Sequence, residues 1–169
     1  QTCALPICLL ITFLLTEARV LHKPVLYLSH YFKQHRQEYY EHLQAVRDRG
    51  AWEAWLTFFL RGVIAVAGEA AETARRILQL REQHRAAITE QLGRAAGNGH
   101  RVLESLFDHP IVAVSDVQKL TCTTYAASNT LVSRLVKMGV LSEMTGYARN
   151  RRFRYAPYIA LFNDAGPGA

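Results

Sequence analysis

The chain has 169 residues, half of them hydrophobic, and a net charge of +6 at pH 7. This composition can bury a core, which excludes a disordered polar tail, and the length allows one domain or two small ones. The positive charge indicates an anionic partner: nucleic acid, nucleotide or an acidic protein. Three cysteines and seven scattered histidines give no disulfide framework and no metal-ligand spacing, which fits a reducing cytoplasm.

The chain opens with an apolar run from Cys3 to Leu15 that only Thr12 interrupts. No basic residue precedes this run, and the TEAR segment after it is a poor cleavage site, so the pattern is not that of a signal peptide. The run is also shorter than the roughly 20 apolar residues that a membrane span needs. Its length favours a buried helix, and no membrane partner is predicted.

The first seven residues, QTCALPI, are what the end of a common sequencing adapter encodes, CAG ACG TGT GCT CTT CCG ATC. We therefore interpret residues 1–8 as adapter sequence and its junction with the native gene, and exclude them from fold reasoning. In this interpretation Cys8 replaces a native arginine, and the native protein begins upstream.

Helical periodicity dominates residues 9–93. A first helix ends after Leu21, because the residue before Pro24 is pushed out of the helical region. Ser29 is the predicted N-cap of a second helix, whose apolar and aromatic stripe ends at Gly50 in a C′ position.

A proline-free stretch from Ala51 to Gly93 keeps helical apolar spacing throughout. Gly62 and Gly68 weaken it locally, by about 1 kcal/mol each relative to alanine. The pattern predicts one long helix, or two helices in line with a kink near Gly68. Residues 94–100, RAAGNGH, are the predicted linker.

Residues 101–162 have a different texture of short elements. RVLESLFD, SDVQKL and TYAASNTLVSRLVKM predict three helices, and IVAV a short extended piece between the first two. Ser115 is expected to cap the second helix and Gly139 to end the third. VLSEMTG and RRFRYAP predict a hairpin around GYARN, and YIALF a closing helical turn.

Three helices followed by a basic hairpin predict a winged helix-turn-helix at residues 101–162, with a disordered tail at 163–169. The expected fold class is therefore mainly α: the helical residues 9–93 followed by this domain with its small β-hairpin wing.

In a winged helix the third helix enters the DNA major groove, and the wing contacts the backbone or minor groove. Asparagine can pair with adenine, and lysine or arginine neutralises phosphates. The predicted DNA-binding residues are Thr123, Thr124, Ser128, Asn129, Ser133, Arg134, Lys137, Arg149, Arg151, Arg152 and Arg154. Dimerisation or protein docking is the alternative, because the third helix holds only two basic residues and fold does not fix function.

Two blocks carry a family resemblance: PVLYLSHYFKQHRQEYYEHLQAVRDRG at residues 24–50, and W-x-x-W-L-x-F-F-L at residues 52–60. HPIVAVSDVQKL, LVSRLVKMGVLSEMTG and RNRRFRY follow in order. Together they resemble the segment after the catalytic motif of bacterial Fic-family proteins and the winged-helix tail that many of these proteins carry. The resemblance covers residues 9–162.

The resemblance implies a parent enzyme that transfers AMP from ATP, with Mg²⁺, to a hydroxyl side chain of a target protein. The family motif, H-x-F-x-[DE]-G-N-G-R-x-x-R, supplies a general base, a metal-binding acid and a phosphate-binding glycine turn. The motif is absent from this sequence, and it would end just before LLITFLL, where Cys8 stands. The fragment is therefore expected to be inactive, with no catalytic or metal-binding residue of its own.

In this family the helix carrying EYY borders the adenine pocket, which makes Tyr39, Tyr40 and Arg47 the implied nucleotide contacts. Core packing with satisfied hydroxyls is the alternative for the tyrosine pair. GNGHR at residues 97–101 lacks the preceding H-x-F-x-[DE] and is not interpreted as a phosphate loop.

The predicted function is that of the C-terminal part of a cytoplasmic Fic-family protein adenylyltransferase, whose partner is the target protein of AMP transfer. The alternatives are a DNA-binding regulator and a dimerisation or docking module. DNA and a second copy of the chain are the corresponding partners.

Overall fold

The computed structural model describes residues 10, 13–14, 16–19, 28–146 and 150–163. These residues are mainly helical with one small three-stranded antiparallel sheet, which confirms the predicted fold class. The chain forms two compact units, Gln1–Glu72 and Thr73–Ala169. The predicted adapter stretch, residues 1–8, and residues 164–169 of the predicted tail lie outside the described residues.

The first unit contains α1 (Leu28–Gln34), α2 (Arg36–Arg49) and the beginning of α3 (Trp52–Leu92). Ser29 lies inside α1 and is not an N-cap, because the helix already includes the buried Leu28 before it. Gly50 ends α2 as predicted: it has φ of +66°, and its amide donates to the Val46 carbonyl at 2.9 Å.

Aromatic packing forms the core of the first unit. The Phe32 ring of α1 lies 5.1 Å from the Tyr39 ring of α2 and 5.8 Å from the Phe58 ring of α3. Leu28 and Val66 complete the buried cluster. Aromatic pairs at these centroid separations add stabilisation beyond their buried area, so this cluster ties the three helices together.

The predicted buried helix near the N-terminus is wrong for the part of it that the structure describes. Leu10, Phe13 and Leu14 are helical but at least half exposed. A helix that is apolar on several faces buries only the faces that neighbouring elements cover, and these three side chains lie on uncovered faces.

α3 is one continuous helix of 41 residues, which decides between the two predicted alternatives. A Cβ atom at Gly62 would lie 2.7 Å from the Tyr31 ring, so this glycine allows the ring to pack against the helix backbone. The helical stretch Trp52–Asp108 is long and apolar enough to cross a membrane by length and composition. Only 17% of its most apolar 18-residue window is buried, and a single helix that meets these two criteria does not by itself identify a membrane protein.

The second unit has the element order of a winged helix-turn-helix: helix, strand, helix, helix and a two-stranded wing. Its elements are a 3₁₀ turn (Gly93–Ala95), α4 (Ala96–Asp108), β1 (Ile111–Ala113), α5 (Val114–Thr121), α6 (Tyr125–Lys137), β2 (Ser142–Glu143), β3 (Arg152–Arg154) and α7 (Ala156–Asn163). The predicted linker at residues 94–100 is wrong, because these residues are helical. Gly99 lies where a Cβ would be 2.6 Å from Leu92 and 2.8 Å from Ile88, so tight packing holds this glycine-rich segment in α4.

The sheet has the strand order β1-β3-β2, with both pairs antiparallel. Phe153 in the central strand lies opposite Val112 on one side and Glu143 on the other, and its side chain is buried. Arg152 and Arg154 flank it on the exposed face. The period-2 alternation expected of a strand therefore directs the wing arginines to solvent.

Two helix ends differ in how well the sequence predicted them. α5 begins at Val114 rather than after a Ser115 cap, and the Asp116 carboxylate accepts the Ala113 amide at 2.8 Å. Gly139 ends α6 with φ of +75°, as predicted. The Val140 and Leu141 amides then return to the Leu135 carbonyl, at 3.0 and 3.2 Å, and satisfy this carbonyl at the helix end.

The core of the second unit contains buried side chains from α3, α4, α5 and α6. Tyr155, which follows the wing strand β3, also belongs to this core and is fully buried. The Tyr155 hydroxyl lies 2.7 Å from His84 Nδ1 on α3. Burial raises the pKa of Tyr155 and lowers the pKa of His84, so burial favours the neutral form of both groups in this hydrogen bond. This bond ties the end of the wing to α3.

Two glycines of α4 provide a matched test of this packing. Gly99→Ala should lower the free energy of unfolding by about 1–3 kcal/mol, because the new Cβ would clash with buried Leu92 and Ile88. Gly97→Ala should raise it by up to about 1 kcal/mol, because nothing lies within 4 Å of its Cβ position and alanine is the better helix former. Urea denaturation measures both, and equal effects of the two substitutions would contradict the packing described.

Candidate nucleic-acid interface

A hydroxyl chain occupies the turn between α5 and α6. Thr121 Oγ1 lies 2.9 Å from Thr123 Oγ1, which lies 2.8 Å from Ser128 Oγ. Ser128 is only 1% exposed, so its prediction as a base-reading residue is wrong. Its hydroxyl instead holds the turn against α6, and Thr123 is half-buried in the same chain of bonds.

Two further predicted residues bond to the backbone of α6 while staying exposed. The Thr124 side chain is the N-cap of α6 and accepts the Ala127 amide at 3.3 Å. Ser133 Oγ donates to the Asn129 carbonyl at 2.9 Å. The lone pairs of Ser133 remain directed to solvent, so it keeps an acceptor for a ligand.

Asn129 and Arg151 bind each other. Arg151 donates to Asn129 Oδ1 at 2.7 Å, lies 3.8 Å from a Glu143 carboxylate oxygen, and stacks its guanidinium 5.5 Å from the Phe153 ring centre. The bidentate pairing of asparagine with adenine needs both the amide oxygen and the amide nitrogen. In this conformation Arg151 uses one lone pair of the amide oxygen, so any further partner of Asn129 would share that oxygen with Arg151.

Arg134 is a structural residue. Its guanidinium donates to the Gln91 carbonyl at the C-terminal end of α3. A cation at this end of a helix satisfies an unpaired carbonyl and complements the helix dipole. This bond links α6 to α3 and leaves Lys137, exposed at the end of α6, as the outward cation of that helix.

Wing cations complete the surface. Arg152 and Arg154 are exposed, and Arg154 Nε lies 3.3 Å from Ser142 Oγ across the wing. The predicted residue Arg149 lies outside the described residues. Among the residues described, the predicted cations left with neither a carboxylate nor a helix end are thus Lys137, Arg152 and Arg154.

Sequence reasoning missed Tyr125, which begins α6 and is 57% exposed. Tyr125, Asn129, Ser133 and Lys137 follow one another at intervals of four, so they share one face of the helix. This spacing was the signal that could have identified Tyr125. The face presents a ring, an amide, a hydroxyl and an ammonium group in that order.

The three nucleotide contacts that the family resemblance implies lie in the first unit and differ in their exposure to solvent. Tyr39 belongs to the aromatic core, with its ring 5.4 Å from Trp55. Tyr40 is half exposed, and the Arg36 guanidinium lies 5.7 Å from its ring centre. Arg47 is exposed. Tyr39 therefore fits the core-packing alternative, while Tyr40 and Arg47 stay accessible to a ligand.

An open cleft of about 590 Å³ lies in the second unit, and none of the predicted site residues lines it. Glu104 in its wall accepts from Arg81 at 2.8 Å and from Arg85 at 3.1 Å. Both arginines serve one carboxylate, so this cluster joins α3 to α4. GNGHR lies in α4 beside it, which supports the view that this segment is not a phosphate loop.

The described residues contain no group of three or more His, Cys, Asp or Glu side chains that could hold a metal ion. No protein-family model matches the chain.

The neighbouring residues Arg151 and Arg152 allow a direct comparison between an arginine that stabilises the fold and one that lies on the surface. Arg151→Ala should lower the free energy of unfolding by about 1 kcal/mol, because it removes the bond to Asn129 and the contact with Glu143. Arg152→Ala should change it by no more than about 0.5 kcal/mol, because the side chain is exposed. Guanidinium denaturation compares the two variants, and a larger loss in Arg152→Ala would contradict the assigned contacts.

Proposed function

We propose that this chain is the C-terminal part of a Fic-type protein adenylyltransferase. The observation that carries the proposal is that the two sequence blocks with the family resemblance form one core. Phe32 and Tyr39 of the first block pack against Trp55 and Phe58 of the second. A winged helix follows them in the order that the resemblance implies.

In such a parent enzyme the catalytic groups would belong to the family motif, and this chain would supply other contacts. The histidine base, the metal-binding acid and the glycine turn belong to the family motif, which this sequence does not contain. ATP and Mg²⁺ would bind there, where AMP is transferred to the target hydroxyl. The helices of this chain contribute the exposed Tyr40 and Arg47 toward the nucleotide, and the winged helix contributes a surface for the target protein.

The first test is the genomic sequence upstream of the Leu9 codon, which should encode H-x-F-x-[DE]-G-N-G-R-x-x-R running directly into LLITFLL. The protein encoded by that locus should then transfer a labelled AMP group from ATP to itself or to a partner, detected in a gel.

Replacement of the motif histidine by alanine should abolish the label, because no base would then activate the target hydroxyl. Labelling that survives this replacement would contradict the mechanism. An uninterrupted chromosomal QTCALPIC after a start codon would contradict the assignment itself.

DNA binding is a second candidate function, favoured by one specific observation. The face of α6 with Tyr125, Asn129, Ser133 and Lys137 belongs to the helix that enters the major groove in a winged helix. Arg152 and Arg154 project from the wing of the same unit. A groove-reading helix and a cationic wing are the two parts that duplex binding requires.

For this candidate, the chain should bind a mixed-sequence duplex at low salt, and its affinity should fall with a log–log slope of about −3, one unit for each of its three outward cations. Replacing Arg152 and Arg154 by alanine should reduce the slope by about 2, as measured by fluorescence anisotropy. Replacing the exposed Arg47 and Arg49 of α2 is the control, with no change expected. No binding at low salt would exclude this function.

A further inference from the structure

The outward face of α3 carries a row of large apolar side chains. Trp52, Leu56, Leu60 and Ile64 are 52–73% exposed and follow one another at intervals of four, over about 18 Å of helix. We call these four residues the outer ridge. The buried Phe58 and Val66 lie on another face of the same helix, so the outer ridge is not part of the core of its own unit.

Charged side chains border the outer ridge on one flank. Glu53 follows Trp52 and Arg61 follows Leu60, so each lies one residue past a member of the ridge, on the same side. Both are exposed, and neither has an ion-pair partner within the chain as described. An apolar row with a polar border has the anatomy of a protein interface.

We propose that the outer ridge binds the outer ridge of a second copy of this chain, with the two α3 helices antiparallel about a two-fold axis at Thr57. Residues whose numbers sum to 114 then face each other. Glu53 lies opposite Arg61 of the second copy, and Arg61 lies opposite Glu53 of the second copy. They can meet because the two-fold axis places the charged flanks of both helices on the same side of the interface. A two-fold interface requires such reciprocal contacts.

The same axis also interleaves the apolar side chains. Leu56 of one copy lies opposite position 58 of the other, and so fits between Leu56 and Leu60 there. Leu60 likewise lies opposite position 54 of the other copy and fits between Trp52 and Leu56. Rows spaced by four on both helices pack ridge into groove when the two helix axes cross at about 50°. One axis therefore satisfies both the apolar packing and the charge pairing.

Charge complementarity selects the second copy over a lipid surface. In a bilayer Glu53 and Arg61 would be unpaired, whereas in the antiparallel pair each meets an opposite charge. Charge complementarity also excludes a parallel pair. In such a pair the flank with Glu53 and Arg61 would face the other flank of the second copy, which carries Trp55 and Phe59 and no opposite charge. The outer ridge supplies only part of the roughly 800 Å² per partner that a stable interface buries, so we expect a weak dimer with a dissociation constant that is micromolar or higher.

Sedimentation of the full chain from about 5 to about 500 micromolar tests the proposal. A monomer–dimer equilibrium is expected, and it should disappear in Leu60→Glu and in Ile64→Glu. Both residues are more than half exposed, so the helical circular dichroism should not change. Leu120→Glu, an exposed apolar position in the other unit, is the matched control and should dimerise as the wild type does.

Charge reversal tests the two-fold axis. Glu53→Arg alone and Arg61→Glu alone should each weaken the dimer about tenfold, because each places like charges together at two points of the interface. The double variant should recover to within about threefold of the wild type, because it restores opposite charges with exchanged sides.

The proposal is overturned by a monomer throughout the concentration range or by a dimer that survives Leu60→Glu. A double variant that does not recover also overturns it, as does a monomer that binds anionic vesicles through the outer ridge. These measurements need no ATP and no DNA, so their outcome is independent of either proposed function.

Discussion

One helix contributes to two hydrophobic cores, and the rest of the structure depends on it. α3 places Phe58 and Val66 in the aromatic cluster of the first unit, and Ile88 and Leu92 in the core of the winged helix. Helices in proteins gain most of their stability from such packing rather than from intrinsic propensity. The 41 residues of α3 therefore stay helical through Gly62 and Gly68.

Polar side chains in the winged helix divide into those that hold the fold and those that face outward. Arg134 binds the end of α3, and Arg151 binds Asn129. A buried or half-buried polar group that lost its partner would carry an uncompensated desolvation cost, which keeps these pairs together. The outward chemistry is therefore restricted to fewer groups than the composition of α6 and the wing indicates, with Lys137 and Arg152 among them.

The first unit also uses its apolar residues in two ways. Phe32 and Phe58 pack inward, while the outer ridge, Trp52 to Ile64, lies on an exposed face bordered by Glu53 and Arg61. Large exposed apolar rows are uncommon on isolated domains because water contact with them is unfavourable. The N-terminal part of α3 thus has two apolar faces. One packs in the core of the first unit, and the other, the outer ridge, is exposed and can contact another molecule.

The sequence alone determined the helical periods, the helix ends at Gly50 and Gly139, and the order of the winged-helix elements, because these features depend on neighbours a few residues apart. Only the tertiary structure decided that residues 94–100 are helical, that Ser128 is buried and that Arg151 occupies Asn129. The partners of these groups are set by packing between elements rather than by local spacing: Asn129 and Arg151 are 22 positions apart. Periodicity identifies which face of an element is apolar, whereas only the assembled core determines what that face, and each polar side chain beside it, contacts.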